Sequence, residues 1–127
     1  MAKKLAVVMD PIQSIHVEKD STFAILLEAQ RRNYELFYLE LADLFIQKAI
    51  AYGQARRLKV QDDPVHWFDL AEPSNYALHE FDVIFMRKDP PVDMEYLYAT
   101  YILELAEKAG ARVVNKPQSL RDVNEKL

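Results

Sequence analysis

With 127 residues, half of them hydrophobic and 28% charged, the chain has the size and balance of one globular domain able to bury a real core. Its formal net charge of −4 argues against a non-specific nucleic-acid binder, and no run approaches the roughly 18 apolar residues of a membrane span. Cysteine is absent, which removes disulfides, thiolate catalysis and Cys-based metal sites. The 2 glycines, Gly53 and Gly110, are too few for a Walker A loop or a dinucleotide fingerprint.

In chain order, the basic start at Lys3 and Lys4 leads into an apolar run, residues 5–9, that shows no alternation. That is the pattern of a strand buried on both faces of a parallel sheet. The same run is too short for a signal-peptide core, so the cytoplasm is the expected compartment. After a long loop, Asp20, Ser21 and Thr22 offer N-caps for a helix traced by Phe23, Leu26, Leu27 and Gln30. Arg31 and Arg32 complement its C-terminal dipole, and Asn33 suits an αL stop. Residues 34–39 alternate as a second strand and complete a βαβ unit.

From Phe45 to Gln61, two polar, β-compatible segments flank Gly53, which predicts a hairpin around that glycine on a sheet edge. Its Arg56, Arg57 and Lys59 read either as a solvated strand face or as a small anion-binding face. Asp62, Asp63 and Pro64 form a turn, and residues 67–79 are too mixed to assign. Val83–Met86 is another buried strand. Asp93 can cap the helix that follows. Met94, Leu97, Tyr98, Tyr101, Ile102, Leu105, Ala106 and Ala109 give that helix a broad apolar face, and Gly110 stops it. A short last strand, residues 112–115, closes at Lys116 and Pro117. Ser119 then N-caps a helix with the stripe Leu120, Val123 and Leu127 but no C-cap, so the chain is expected to be the front part of a longer protein. The expected fold is α/β: a mostly parallel sheet with helices on both faces and a β-hairpin insertion.

Ligands of open parallel sheets bind beyond the carboxyl ends of the strands. Here those ends carry Asp10 with Pro11, then Arg87, Lys88 and Asp89 before two prolines, then Asn115 and Lys116 before Pro117. Arg87 is the strongest single candidate, because a guanidinium holds a carboxylate or phosphate bidentately. Ser21 and Thr22, at a helix N-terminus, add backbone amides and a hydroxyl for an anion. Each position also has a plainer reading: Asp10 can simply end a strand, and Lys116 can be a surface lysine. Three charges at the end of a buried strand are costly without a purpose, which favours function at Arg87, Lys88 and Asp89. His16, His66 and His79 lack paired metal spacing. Tyr96, Tyr98 and Tyr101 lie on a helix that must pack, against the core or another subunit.

Five segments together carry a family pattern: residues 8–12, residues 19–32, residues 86–91 (Met-Arg-Lys-Asp-Pro-Pro), residues 98–104, and residues 114–122 (Val-Asn-Lys-Pro-Gln-Ser-Leu-Arg-Asp). They resemble the N-terminal domain of bacterial glutathione synthetase over nearly the whole chain, most weakly between Phe45 and His79. The resemblance implies a Rossmann-like, three-layer pre-ATP-grasp domain over residues 1–118, with residues 119–127 starting a linker helix into an ATP-grasp domain. It implies an enzyme that joins γ-glutamylcysteine to glycine with ATP and Mg²⁺ through an acyl phosphate, and that works as a homo-oligomer, a tetramer in bacterial members. Asp10, Ser21, Arg87, Lys88, Asp89, Asn115 and Lys116 match family motifs and would face the peptide substrate, while Lys126 would approach the ATP phosphates. The resemblance assigns no catalytic group, metal ligand or bound cofactor to these residues alone, so the fragment is expected to be inactive by itself.

Two other readings compete. A phosphoacceptor receiver domain shares the size and a Lys-Pro after its last strand, as at Lys116 and Pro117. It requires an acidic pair after the first strand, however, where this chain has Asp10 followed by Pro11, and a regular βα alternation that residues 45–61 break. The third reading is a non-catalytic oligomerisation domain.

Overall fold

A computed structural model describes residues 3–17, 20–87 and 94–115, with the backbone alone for Asn115. Expectations that rest on Lys88, Asp89, Asp93, Lys116, the helix from Ser119, Lys126 and the boundary at residue 118 lie outside the described residues. In chain order the elements are β1 (Lys4–Val8), α1 (Ser21–Arg31), β2 (Glu35–Leu39), β3 (Leu44–Gln47), β4 (Ile50–Val60), β5 (Phe68–Ala77), β6 (Val83–Met86), α2 (Met94–Lys108) and β7 (Arg112–Asn115).

Parallel pairing joins β2 to β1, β1 to β6 and β6 to β7, and the strand order is β3-β4-β2-β1-β6-β7. β1 alternates strictly between two cores. Leu5 and Val7 point to the layer of α1, with Phe23, Leu26 and Ala29, whereas Ala6 and Val8 point to that of α2, with Ala99, Ile102 and Ala106. Period-two alternation between two apolar layers explains the continuous apolar run of the sequence. The expected three-layer α/β fold is therefore the one observed.

The two helices obey their terminal signals. The Asp20 carboxylate accepts the Phe23 N–H at 2.9 Å, so Asp20 rather than Ser21 or Thr22 is the N-cap of α1. At the other end Asn33 takes φ 69°, with Asn33 N–H donating to the Gln30 carbonyl and Tyr34 N–H to that of Ala29. α2 closes the same way on Gly110 at φ 114°, as Ala111 N–H returns to the Ala106 carbonyl. The core face of α2 is narrower than the sequence suggests. Ala99, Ile102, Leu103 and Ala106 are buried, while Met94, Leu97, Tyr98 and Tyr101 stay 53–80% exposed, so the expected broad face splits into a buried stripe and an exposed one.

The middle of the chain departs furthest from expectation. The hairpin exists, but it turns at Lys48 and Ala49, both at positive φ (53° and 64°), with Gln47 facing Ile50. Two positive φ values in a two-residue loop match the type I′ geometry that the right-handed strand twist favours. Gly53 instead lies inside β4 facing Leu44, where a Cβ would sit 2.4 Å from Leu39 Cδ2. Close approach, not a turn, is what calls for glycine there. The unassigned stretch is β5, an exposed strand along the other edge of β4. It carries Pro73, and the pairing slips between Arg56 and Leu58. Arg56 donates from Nε to the Ala71 carbonyl at 2.7 Å beside that slip, so it is a structural contact of the hairpin.

Candidate functional site

β1 and β6 are adjacent and parallel, yet their crossovers leave in opposite directions, to β2 through α1 and to β7 through α2. The crevice beyond their carboxyl ends is a topological switch point, where open α/β sheets bind ligands. Asp10 follows β1 there and Arg87 follows β6. The registers are tied together, since Val8 faces Met86 and the Arg87 N–H donates to the Val8 carbonyl at 2.8 Å.

The Arg87 side chain crosses from the sheet to the start of α1. Its Nε donates to Thr22 Oγ1 at 2.6 Å and its Nη2 to Ser21 Oγ at 3.1 Å, while the guanidinium carbon lies 5.5 Å from the centroid of the Phe85 ring. Thr22 is buried and Phe85 is fully buried, so the head group is fixed from two sides. A cation is ordinarily favoured at a helix C-terminus, not an N-terminus. The guanidinium is instead held against the first turn of α1, whose Phe23 N–H the Asp20 carboxylate caps, and it places a group able to hold an anion at the crevice.

Beside this, a cleft of about 310 Å³ is lined by Asp10, Pro11, Ser14, Ile15, His16 and Asp20. The structure thus brings Asp10, Ser21 and Arg87 to one region and adds Thr22, Asp20 and His16 to it. The β7 backbone places Asn115 opposite Met86, one strand further out. Asp20 combines two positions, as it caps α1 and lines the cleft.

Two residues that sequence reasoning missed, Tyr38 and Trp67, hold the segment that lines the cleft. Ile12 opens a 3₁₀ turn, Ile12–Ser14, directly after the Asp10 and Pro11 pair. Its N–H donates to the Tyr38 hydroxyl at 3.1 Å and its carbonyl accepts from Trp67 Nε1 at 3.0 Å. The Tyr38 hydroxyl in turn donates to Glu40 Oε2 at 2.6 Å. Burial first, and the Glu40 carboxylate second, push the Tyr38 phenol well above its ordinary value, which keeps it protonated. No local signal points to these contacts, because they span 26 and 55 residues of sequence.

Residues 3–121 match the family model for the prokaryotic glutathione synthetase N-terminal domain. The chain belongs to this family. It is 58% identical over 124 residues to the glutathione synthetase of Shewanella oneidensis, covering 98% of this chain and 39% of that protein. It is 56% identical over 127 residues to that of Coxiella burnetii, covering 100% and 40%, and 55% identical over 124 residues to that of Vibrio cholerae, covering 98% and 39%. The chain therefore spans about two fifths of the length of these curated relatives. The expected glutathione synthetase family is the one found, and it displaces the receiver reading. In this glutathione synthetase N-terminal domain the antiparallel run β3-β4-β5 stands where a receiver needs regular βα alternation. No helix among the described residues is long and apolar enough to cross a membrane.

Proposed function

We propose that the complete protein is a glutathione synthetase, an ATP-dependent ligase that joins γ-glutamylcysteine to glycine in the cytoplasm. In this reading residues 1–118 form the pre-ATP-grasp domain, residues 119–127 begin the linker, and the domain supplies the substrate-side wall of the active site. The observation that carries it is Arg87, held by Ser21 and Thr22 at the start of α1 and at the switch point of the sheet. A carboxylate of γ-glutamylcysteine is an anion of the kind this arrangement suits, and Arg87 would orient it without exchanging protons. Asp10, beside it, is suited to the substrate's ammonium. Lys88, Asp89, Asn115 and Lys116 would complete the same wall, and Lys126 would meet the ATP phosphates.

ATP and Mg²⁺ supply the activation of the carboxyl group as an acyl phosphate. Among the described residues no three His, Asp or Glu side chains gather to hold a metal ion, so no step is assigned to a metal held by them. The exposed stripe Met94, Leu97, Tyr98 and Tyr101 on α2 supports assembly as a homo-oligomer, a tetramer in this proposal, because apolar side chains exposed together mark contact surfaces.

The test is to express the complete reading frame and supply γ-glutamylcysteine, glycine, ATP and Mg²⁺. Stoichiometric glutathione and ADP are expected. Folded protein that makes neither would overturn the proposal and leave the non-catalytic oligomerisation domain as the alternative.

A further inference from the structure

We propose that Tyr38 and Trp67 are positioning residues for the substrate cleft, and that the antiparallel β4–β5 hairpin acts on the active site through Trp67. The proposal rests on the cleft beside Asp10 being the site of γ-glutamylcysteine.

Backbone polar groups in a loop are ordinarily satisfied by near neighbours or by water. At Ile12 both are held by side chains from remote parts of the chain: the N–H by Tyr38 at the end of β2, and the carbonyl by Trp67 in the loop between β4 and β5, which joins the longer 3.5 Å bond of the turn from the Ile15 N–H. The Ile12 side chain is itself fully buried in the core on the α1 side. One residue is thus pinned at three points. Asp10 and Pro11 precede it and Ser14, Ile15 and His16 follow it, and all five line the cleft. The pin sets where that wall stands.

The polarity of the contact is also fixed. Because the Tyr38 hydroxyl gives its proton to Glu40, a lone pair is left to face the Ile12 N–H. Trp67 has only its indole N–H to give, and it gives it to the carbonyl. Glu40, Tyr38, Ile12 and Trp67 therefore form one hydrogen-bonded chain that crosses from the exit of β2 to the β4–β5 loop beneath the exit of β1. The Trp67 ring also meets Phe68 with centroids 5.6 Å apart, and a phenylalanine at either position keeps an aromatic ring while losing the hydrogen bond. What the hydrogen bonds add is the position of the loop, and a displacement of about 1 Å in a positioning element can cost up to about 100-fold in rate.

The test uses the complete enzyme with Tyr38→Phe, Trp67→Phe and the double variant, varying each substrate in turn. Each single variant is expected to raise KM for γ-glutamylcysteine about 3- to 10-fold and to leave KM for glycine and for ATP unchanged. A purely structural role lowers the active fraction, and so kcat, without moving that KM. Glu80→Met serves as control, since it cuts a contact at the far end of β5, from the Ala77 N–H, without touching Ile12, Tyr38, Glu40 or Trp67, and its KM should equal wild type. A second measurement does not depend on any variant being active. Trp67 is the only tryptophan of this chain, so its ¹⁹F resonance in 5-fluorotryptophan-labelled enzyme, identified by its loss in Trp67→Phe, reports on the pin. Saturating γ-glutamylcysteine should shift that resonance, and glycine should not.

An unmoved resonance, or a wild-type KM in both single variants, overturns the proposal, as does an equal KM rise in Glu80→Met. Arg87→Ala separates the two levels. If it too leaves KM for γ-glutamylcysteine unchanged, the cleft is not the substrate site. If it raises KM while the Tyr38 and Trp67 variants do not, only the positioning role fails.

Discussion

Gly53→Ala is the sharpest test of how the hairpin is seated on the parallel half of the sheet. A methyl group at this position would lie 2.4 Å from Leu39 Cδ2 and 3.0 Å from Leu78 Cδ2. Both leucines are only 1% exposed, so neither can swing into solvent to make room. Overpacking of this kind costs about 1–3 kcal/mol. Restricting the unfolded chain by replacing glycine returns about 0.4–1 kcal/mol. The net loss should be about 1–2 kcal/mol, or a fall in Tm of roughly 3–10 °C for a domain of this size. Thermal unfolding by circular dichroism and urea titration would both register it. Leu39→Val, which shortens the clashing side chain, should cost less in the Gly53→Ala background than in wild type, giving a double-mutant coupling of about 0.5 kcal/mol or more. A glycine required by a turn would lose stability too, but without that coupling. A Tm at or above wild type in Gly53→Ala, or strict additivity with Leu39→Val, would refute the packing argument.

Further outcomes follow from the termini, the turn and the surface ion pairs. Asp20→Ala removes the N-cap of α1 and should destabilise by about 1 kcal/mol, measurable as a lower urea midpoint at unchanged slope. Ala49→Gly should be neutral to stabilising, by up to about 1 kcal/mol, because it relieves a non-glycine residue at φ 64°; a clear loss of Tm would contradict the turn assignment. Glu28 is held down to about 2, chiefly by its hydrogen bond from Arg31 and then by that from Arg32. A carboxylate lowered in the folded state stabilises fully above its unfolded value and loses that contribution as pH falls through its folded value. The Tm gap between wild type and Glu28→Gln should therefore be largest above about pH 5 and close toward pH 2. A gap that widens in acid would reverse the sign of the linkage.

Much of the parallel half could be read from the residues alone. The unbroken apolar runs of β1 and β6, the cap at Asp20 and the stops at Asn33 and Gly110 are local signals, and each falls where the chain uses it. The antiparallel half was legible only as a hairpin. Its turn uses Lys48 and Ala49, which lack the Asn-Gly signature of type I′ loops, so the nearby glycine drew the prediction instead. β5 was hidden because an exposed edge strand with a proline has no apolar alternation to show. On α2, periodicity could not separate the stripe that packs from the stripe left exposed, since both are apolar. The candidate site divides the same way. Asp10, Ser21 and Arg87 announce themselves as polar groups at strand ends and a helix start. The grip on Ile12 by Tyr38 and Trp67 is set by tertiary structure and leaves no mark in either local sequence.

The claim that binds fold to function is that Arg87 orients an anionic group of the substrate at the switch point. Arg87→Ala in the complete enzyme tests it most directly, by steady-state kinetics with γ-glutamylcysteine varied and Tm measured alongside. Loss of a charge-assisted contact of about 1.5–3 kcal/mol predicts a fall in kcat/KM of about 10- to 100-fold, with the fold retained. An unchanged kcat/KM in a folded variant would contradict it and remove Arg87 from the site.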